Sequence, residues 1–259
     1  MSAVSNYIEG LLRGGQHHFA TEDVVVALGG GRSAVVRALA RLRAKGEVAT
    51  PQRGFYVVVP PEYRSLGCLP PEQFVPQLME WAGGPYYIAL LSAAAFHGAA
   101  HHRPQRAQVM VRKPRSPIVC GHVRVDFHVR AGIEEVAVVV LNTPRGYVRV
   151  SSPETTALEL VGYAPHAGGL DNVATVLAEL VESMDATRLS AEAPKAPTAW
   201  VQRLGYLLEL VDGAELASVL APLAVGRRVA PLDPSIPRTG AARSDRWRIA
   251  INTDVEPDL

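Results

Sequence analysis

Residues 21–60 read TEDVVVALGGGRSAVVRALARLRAKGEVATPQRGFYVVVP, and this stretch decides the fold of the amino-terminal part. Thr21, followed by two acidic residues, is a typical helix start and predicts a short helix to Leu28 with Thr21 as its N-cap. Three glycines end that helix. A second helix is predicted over residues 33–45, and its apolar stripe has helical spacing. The stripe consists of Val36, Leu39, Ala40 and Leu42.

Two strand-like runs follow the second helix and are joined by a turn that contains Arg53 and Gly54. The order of helix, tight turn, basic helix and hairpin is typical of a winged helix-turn-helix. The second helix would then be the recognition helix.

The second helix carries a basic face. Ser33, Arg37 and Arg41 recur at every fourth position, so they share one side, away from the leucine stripe. Arginine pairs with guanine edges or holds phosphates. The alternative is a surface helix whose arginines are merely solvated. We expect the DNA contacts to come from Arg32, Ser33, Arg37, Arg41 and, on the hairpin, Arg53.

The same stretch also fits a dinucleotide-binding pattern, because residues 24–34 can be aligned as strand, G-x-G-x-x-A and helix. Two features argue against it. The first strand would begin with a helix-start signal, and Glu47, at about the required distance, precedes Val48 instead of ending a strand. No Lys-Ser or Lys-Thr follows the glycines, so there is no P-loop. We expect no cofactor.

Composition limits the class of protein. The chain has 259 residues, of which 48% are hydrophobic, and no apolar run is long enough to span a membrane. The first ten residues lack the pattern of a signal peptide. Cys68 and Cys120 are far apart and form no C-x-x-C motif. These features predict a protein of the reduced cytoplasm without membrane partners.

Charge is distributed unevenly under a formal net charge of +1. Residues 1–60 carry a net charge of +3, residues 101–150 carry +6, and residues 151–259 carry −6. Such asymmetry indicates contact with a polyanion from two places, or a charged partner.

A proline-led connector, residues 60–67, marks the expected domain boundary. We predict a DNA-binding domain over residues 1–62 and a mixed α/β domain over residues 63–259, which together give an α+β protein. The predicted helices of the second domain cover residues 71–81, 86–96, 153–161, 171–184, 186–192, 198–211 and 214–224, with Ser152 and Asp171 as caps. The predicted strands cover residues 108–111, 122–129, 136–140 and 147–150, and a late pair, 228–230 and 247–251, is expected to extend the same sheet.

Three stretches carry a family resemblance. They are the wing with RGFY at 53–56 and PPEY at 60–63, PYYIALLSAAAFHGAAH at 85–101, and TPRGYVRVSSPETTALEL at 143–160. In these stretches the chain resembles the AbiEi-type antitoxins of bacterial AbiE toxin–antitoxin operons. The similarity follows most of the chain in order and is weaker over residues 185–259.

The resemblance implies a function. The amino-terminal module would bind inverted repeats upstream of its own operon, as two copies, and repress it. The second domain would neutralise a nucleotidyltransferase-like toxin. Three mechanisms are open: an indirect effect without a stable complex, direct binding to the toxin, or covalent modification of the toxin such as phosphorylation. An alternative is a regulator that senses a small ligand in the second domain.

A second group of basic residues predicts an anion-binding face for DNA, tRNA, a nucleotide or an acidic toxin surface. An alternative is a solvated sheet edge whose charges prevent aggregation. The group consists of Arg112, Lys113, Arg115, Arg124 and Arg130.

Motifs for catalysis or metal binding are weak. His97, His101 and His102 have a spacing that can bind zinc, but without the H-E-x-x-H glutamate a structural role is favoured. There is no G-x-S-x-G elbow and no protein-kinase signature. We therefore assign no metal site, and the catalytic residues of any enzymatic activity remain unassigned.

Overall fold

The computed structural model describes residues 2–99 and 104–258. The chain forms two compact units and passes between them repeatedly. The first unit contains Met1–Tyr86, Gln105–Val129 and Val140–Arg149. The second contains Tyr87–Pro104, Arg130–Val139 and Val150–Leu259.

The first sixty residues fold as a winged helix-turn-helix, as predicted. Strands β1 and β2 both pair antiparallel with β3, which gives the order β1-β3-β2. The elements are α1 (Ala3–Arg13), β1 (His18–Ala20), α2 (Thr21–Leu28), α3 (Arg32–Ala44), β2 (Val48–Gln52) and β3 (Phe55–Val58).

The cap of α2 differs from the prediction. Thr21 is the first helical residue, and Ala20 is the N-cap. A capping box closes the turn, because the Asp23 carboxylate accepts a hydrogen bond of 2.7 Å from the Ala20 N–H. Gly29 ends the helix in the left-handed conformation, with a φ of 59°. Residues 24–28 are thus helical, which rules out the dinucleotide-binding strand.

The buried stripe of α3 is shifted from the predicted one. Val35, Leu39 and Leu42 are buried, whereas Val36 is 41% exposed and Ala40 is also exposed. Val35 and Val36 both fit the helical period of the stripe, and only packing determines which of the two is buried. The stripe packs into a core that includes Val4, Ile8, Phe19, Val24, Val48 and Val58.

Ten further strands and helices form the body of the second predicted domain up to residue 180. They are α4 (Val75–Ala82), β4 (Tyr86–Ile88), α5 (Leu90–Phe96), β5 (Ala107–Val111), β6 (Ile118–Cys120), β7 (Val123–Val129), β8 (Val138–Thr143), β9 (Gly146–Ser151), α6 (Pro153–Gly162) and α7 (Leu170–Leu180). The remaining elements are α8 (Ala186–Glu192), α9 (Thr198–Leu210), α10 (Ala214–Ala224), β10 (Ala230–Pro231), β11 (Ala242–Ser244) and β12 (Ile249–Ile251).

In the first unit, β7 is the middle strand of three. It pairs in parallel with β5, from Ala107 opposite Val125 to Val111 opposite Val129. On its other side it pairs antiparallel with β6, with Cys120 opposite Val123.

In the second unit, β4 pairs in parallel with β9 through Ile88 and Val150. The chain then enters α6, where Ser152 caps the helix as predicted by accepting a hydrogen bond from the Thr155 N–H. Every residue of α6 from Pro153 to Val161 is buried. This helix therefore lies in the core of the unit.

Several predicted elements have different bounds. Residues 86–96 are not one helix: β4 comes first, and Ala89 is extended before α5 begins. Residues 71–81 form a 3-10 turn followed by α4, and residues 181–183 are a separate 3-10 turn after α7. The cap of α7 is Gly169, one residue before the helix starts at Leu170, so Asp171 lies inside it.

The late strands do not extend the sheet that contains β4 and β9. They form a separate three-stranded sheet with the order β10-β12-β11. Trp247 lies just before β12, is fully buried, and donates a hydrogen bond of 2.7 Å to Glu209 Oε2 on α9. This indole therefore anchors the small sheet to α9.

Candidate functional site

Helix α3, the predicted recognition helix, presents a basic face opposite its buried stripe. Ser33, Arg37 and Arg41 are all exposed. Arg41 Nε donates a long hydrogen bond of 3.4 Å to the Arg37 carbonyl, which directs its side chain back along the helix. The three residues predicted to share a face therefore do so.

Arg32 opens α3 and forms an ion pair with Glu22 in the first turn of α2. The hydrogen bond from Arg32 lowers the pKa of the Glu22 carboxyl. Both side chains are largely exposed, so the pair is screened by solvent. It holds the turn between the two helices and keeps a guanidinium at the start of α3.

The wing is a two-residue turn between β2 and β3. Gly54 has a φ of 89°, a conformation that favours glycine, and this leaves Arg53 exposed at the tip. The Trp81 ring on α4 lies 5.5 Å from the Phe55 ring and beneath the Gly54 backbone. Trp81 itself is 42% exposed. It supports the wing.

A basic loop lies beside the wing. Arg112, Lys113 and Arg115 follow β5 and line a groove of about 850 Å³ together with Pro51 and Gln52 of β2. Residues 82–85 form part of the same groove. Three of the five residues predicted to bind anions are therefore close to one another and to the wing.

Arg115 connects the loop with the wing directly. Its Nη2 donates a hydrogen bond of 3.2 Å to Gln52 Oε1, and its guanidinium lies 5.8 Å from the centre of the Phe127 ring. The wing strand and the basic loop thus form one continuous surface of the first unit.

Two of the predicted anion-binding residues do not join this surface. Arg124 donates hydrogen bonds to the carbonyls of Gly121 and Val123, at 2.8 and 3.0 Å. Arg130 belongs to the second unit and is only 5% exposed. Its burial corrects the expectation that Arg130 lies on an exposed anion-binding face.

Arg130 belongs to a buried polar cluster. Its guanidinium pairs with the Glu159 carboxylate at 2.5 Å, and the Trp200 ring centre lies 5.6 Å from its Cζ. The Tyr87 hydroxyl donates a hydrogen bond to the same carboxylate. The sequence gives one signal that could have located this cluster, namely a glutamate within the apolar run ALELV of α6.

Burial dominates the ionisation of this cluster. It raises the pKa of the Glu159 carboxyl, and the Arg130 charge and the hydrogen bonds offset only part of that effect. Burial and the Glu159 charge also raise the pKa of Tyr87. Glu159 Oε2 has no hydrogen-bond partner among the residues that the structure describes.

Two further buried carboxylates of the second unit accept hydrogen bonds from backbone N–H groups. Glu154 Oε1 accepts a hydrogen bond of 3.0 Å from the Asp185 N–H at the start of α8. Glu192 accepts one from the Ala137 N–H, also at 3.0 Å, and a bond of 2.6 Å from Lys195 Nζ. These groups fix loops and helix ends.

His97 has the structural role that we favoured, because its Nε2 lies 2.7 Å from the Ser151 carbonyl oxygen. His101 and His102 lie outside the described residues. Over residues 2–99 and 104–258, no helix combines the length and apolar character that crossing a membrane requires.

Comparison with known proteins identifies the second part of the chain. The family model for the AbiEi antitoxin C-terminal domain matches residues 87–210. A solved structure, the RV2827C protein from Mycobacterium tuberculosis, is similar over 95% of this chain and 89% of that chain, with a TM-score of 0.66 and 18% sequence identity, so the likeness concerns the fold alone. No curated protein sequence matches significantly. Residues 87–210 thus match the C-terminal domain of the AbiEi antitoxins, the family that the motifs resemble, and this match supports the role of an antitoxin in a toxin–antitoxin pair.

Proposed function

We propose that this antitoxin represses its own operon by binding inverted repeats through the winged helix-turn-helix, and that it neutralises a nucleotidyltransferase toxin. The exposed face of Ser33, Arg37 and Arg41 on α3 supports the first part. The AbiEi domain over residues 87–210 supports the second. On an inverted repeat, each of two copies would occupy one half-site.

The proposed DNA contact places α3 in the major groove. Ser33 and Arg41 are eight residues apart, so they are separated by about 12 Å along the helix axis. That length covers roughly three to four base pairs at about 3.4 Å per pair. Arg53 at the wing tip would then contact the backbone or the adjacent minor groove.

The basic groove beside the wing extends the proposed surface. Arg112 and Lys113 are exposed, and Arg115 is hydrogen-bonded to the wing residue Gln52. A polyanion that follows the wing would reach these charges without leaving the first unit. We propose DNA phosphates as the anion, because phosphate contacts supply most of the affinity of such complexes.

The test of repression is a gel shift with the operon's own promoter at several salt concentrations. The double variant Arg37→Ala, Arg41→Ala should lose about 1–3 kcal/mol for each arginine that reads a base, and the salt slope should fall by about one for each that holds a phosphate. Arg188 and Arg243 are exposed in the second unit, so Arg188→Ala with Arg243→Ala is a control of equal charge. Equal binding by the wild type and the α3 variant would remove these residues from the proposal.

The test of neutralisation is co-expression with the toxin encoded by the neighbouring gene. Growth should be restored, and the intact mass of the toxin then identifies the mechanism. A gain of one phosphate would indicate covalent modification, whereas an unmodified but inactive toxin would indicate binding or an indirect effect. A neighbouring gene that encodes no nucleotidyltransferase would favour a ligand-sensing regulator instead.

A further inference from the structure

Two short segments of the first unit, residues 66–68 and 120–122, lie in backbone contact. The His122 N–H donates a hydrogen bond of 2.8 Å to the Leu66 carbonyl. Gly121 has a φ of 59°, and a Cβ added there would collide with the Leu66 carbonyl and lie 2.8 Å from Gly67 Cα. Only glycine permits this close approach. Each segment ends or begins with a cysteine.

The two cysteines lie opposite each other across this backbone contact. Cys68 is fully buried and Cys120 is 7% exposed. The interaction between the two thiols raises the pKa of Cys68 and lowers the pKa of Cys120. The pair thus contains one sulfur suited to be a nucleophile and one protonated sulfur beside it.

Cys120 is also connected to both DNA-binding elements. Strand β2 has an irregular register between Ala49 and Gln52, and the backbone of Thr50 within that irregularity lies near enough to Cys120 to lower the pKa of its thiol. The positive charge of Arg43, in the last turn of α3, further lowers the pKa of Cys120. A chemical change at this sulfur would therefore reach the wing strand directly.

We propose that Cys68 and Cys120 form an oxidation site at which a peroxide converts the two thiols into an intramolecular disulfide. The Cys120 thiolate attacks one peroxide oxygen, which gives a sulfenic acid and releases the other oxygen as water. The Cys68 sulfur then attacks the Cys120 sulfur and displaces the hydroxyl as a second water. Two thiols are oxidised and one peroxide is reduced, and exchange with a cellular dithiol restores the reduced form.

Disulfide formation moves the Cys120 sulfur towards Cys68 and away from the Thr50 backbone of β2. The wing strand then loses one of its anchors, so the oxidised protein should bind DNA less tightly. This consequence for DNA rests on the proposed repressor function, whereas the disulfide itself does not.

The first experiment detects the bond without DNA. The protein is treated with hydrogen peroxide and denatured in N-ethylmaleimide, and its intact mass is measured by mass spectrometry. We expect a loss of two hydrogens, no alkylation, and a peptide that links Cys68 to Cys120 within one chain. In Cys68→Ser, a dimedone adduct should appear on Cys120, whereas in Cys120→Ser the remaining thiol should stay reduced. Alkylation of both thiols in the treated wild type, or a bond only between chains, would overturn the proposal.

The second experiment compares DNA affinity before and after oxidation. We expect about fivefold weaker binding by the oxidised wild type, the effect of losing roughly one hydrogen bond, and no change in Cys68→Ala with Cys120→Ala. Equal affinity of the two wild-type forms would overturn the link to the wing. Absence of DNA binding by the reduced protein would instead refute the repressor function, while the mass experiment still decides the disulfide.

Discussion

Arg130 and Glu159 form an ion pair at 2.5 Å in the second unit, with side chains that are 5% and 0% exposed. A pair this deeply buried is strongly interdependent, because either charge alone would remain in a medium of low polarity. The Tyr87 hydroxyl donates a hydrogen bond to the same carboxylate, and the Trp200 ring lies beside the Arg130 guanidinium.

We expect Glu159→Ala to lower the free energy of unfolding by about 3–5 kcal/mol, because it leaves the Arg130 guanidinium buried without its partner. Urea denaturation followed by circular dichroism measures the loss. Glu182 is exposed, and Glu182→Ala should change stability by less than about 0.5 kcal/mol. A loss of similar size in the two variants would contradict the structural importance of the pair.

The same carboxyl should give a characteristic pH dependence. Burial raises the pKa of Glu159 above its usual value of 4.5, so the folded state holds this proton more tightly than the unfolded state. The resulting stabilisation is complete below about pH 4.5 and is lost as the pH rises through the folded pKa. The stability of the wild type minus that of Glu159→Gln should therefore decrease as the pH is raised from about 4.5. A difference that increases over this range would show that the pKa is lowered.

Trp81→Ala should weaken DNA binding about fivefold, since the wing loses the ring that supports Phe55 and Gly54. The accompanying loss of stability should be modest, about 1–2 kcal/mol, because the side chain is 42% exposed. Gel shifts and thermal melts separate the two effects. Trp81→Phe keeps an aromatic ring and should bind with intermediate affinity, and unaltered binding by the alanine variant would show that the wing needs no support from α4.

Gly205→Ala should destabilise the protein by about 3 kcal/mol, because the new methyl group would overlap the buried Trp247 ring. The indole cannot move freely, since it is hydrogen-bonded to Glu209. Gly10 on α1 is a matched control: a Cβ there meets nothing within 4 Å, and Gly10→Ala should stabilise the helix by roughly 0.5–1 kcal/mol. Thermal denaturation measures the melting temperatures of both variants. Equal melting temperatures would mean that α9 and Trp247 are not in close contact.

Local patterns predicted the winged helix well, because its signals lie within a few residues of one another. Each of these signals spans no more residues than one or two helical turns. They are the glycines 29–31, the basic face of α3 and the turn at Arg53. The phase of the α3 stripe was wrong by one residue, since Val35 and Val36 are equally apolar. The choice between them depends on how α3 packs into the core around Leu39 and Phe19. The hydrophobic periodicity of the helix gives no information about that packing.

The partners of the site residues depend on contacts between distant parts of the chain. Arg130 resembles Arg124 in sequence context, but it meets a carboxylate 29 positions later, while Arg124 binds nearby carbonyls. Cys68 and Cys120 likewise meet only because Gly121 lets two backbones touch. Charge type could be predicted from the sequence, whereas burial and pairing could not.

Helix α6 has a consequence for how the proposed antitoxin can diverge. A helix with every side from Pro153 to Val161 enclosed has no surface left to offer a toxin. Changes in partner choice must then arise in the surrounding shell, while substitutions inside this segment would damage the scaffold before they altered recognition. Randomised libraries aimed at new toxin specificities should therefore leave residues 153–161 fixed.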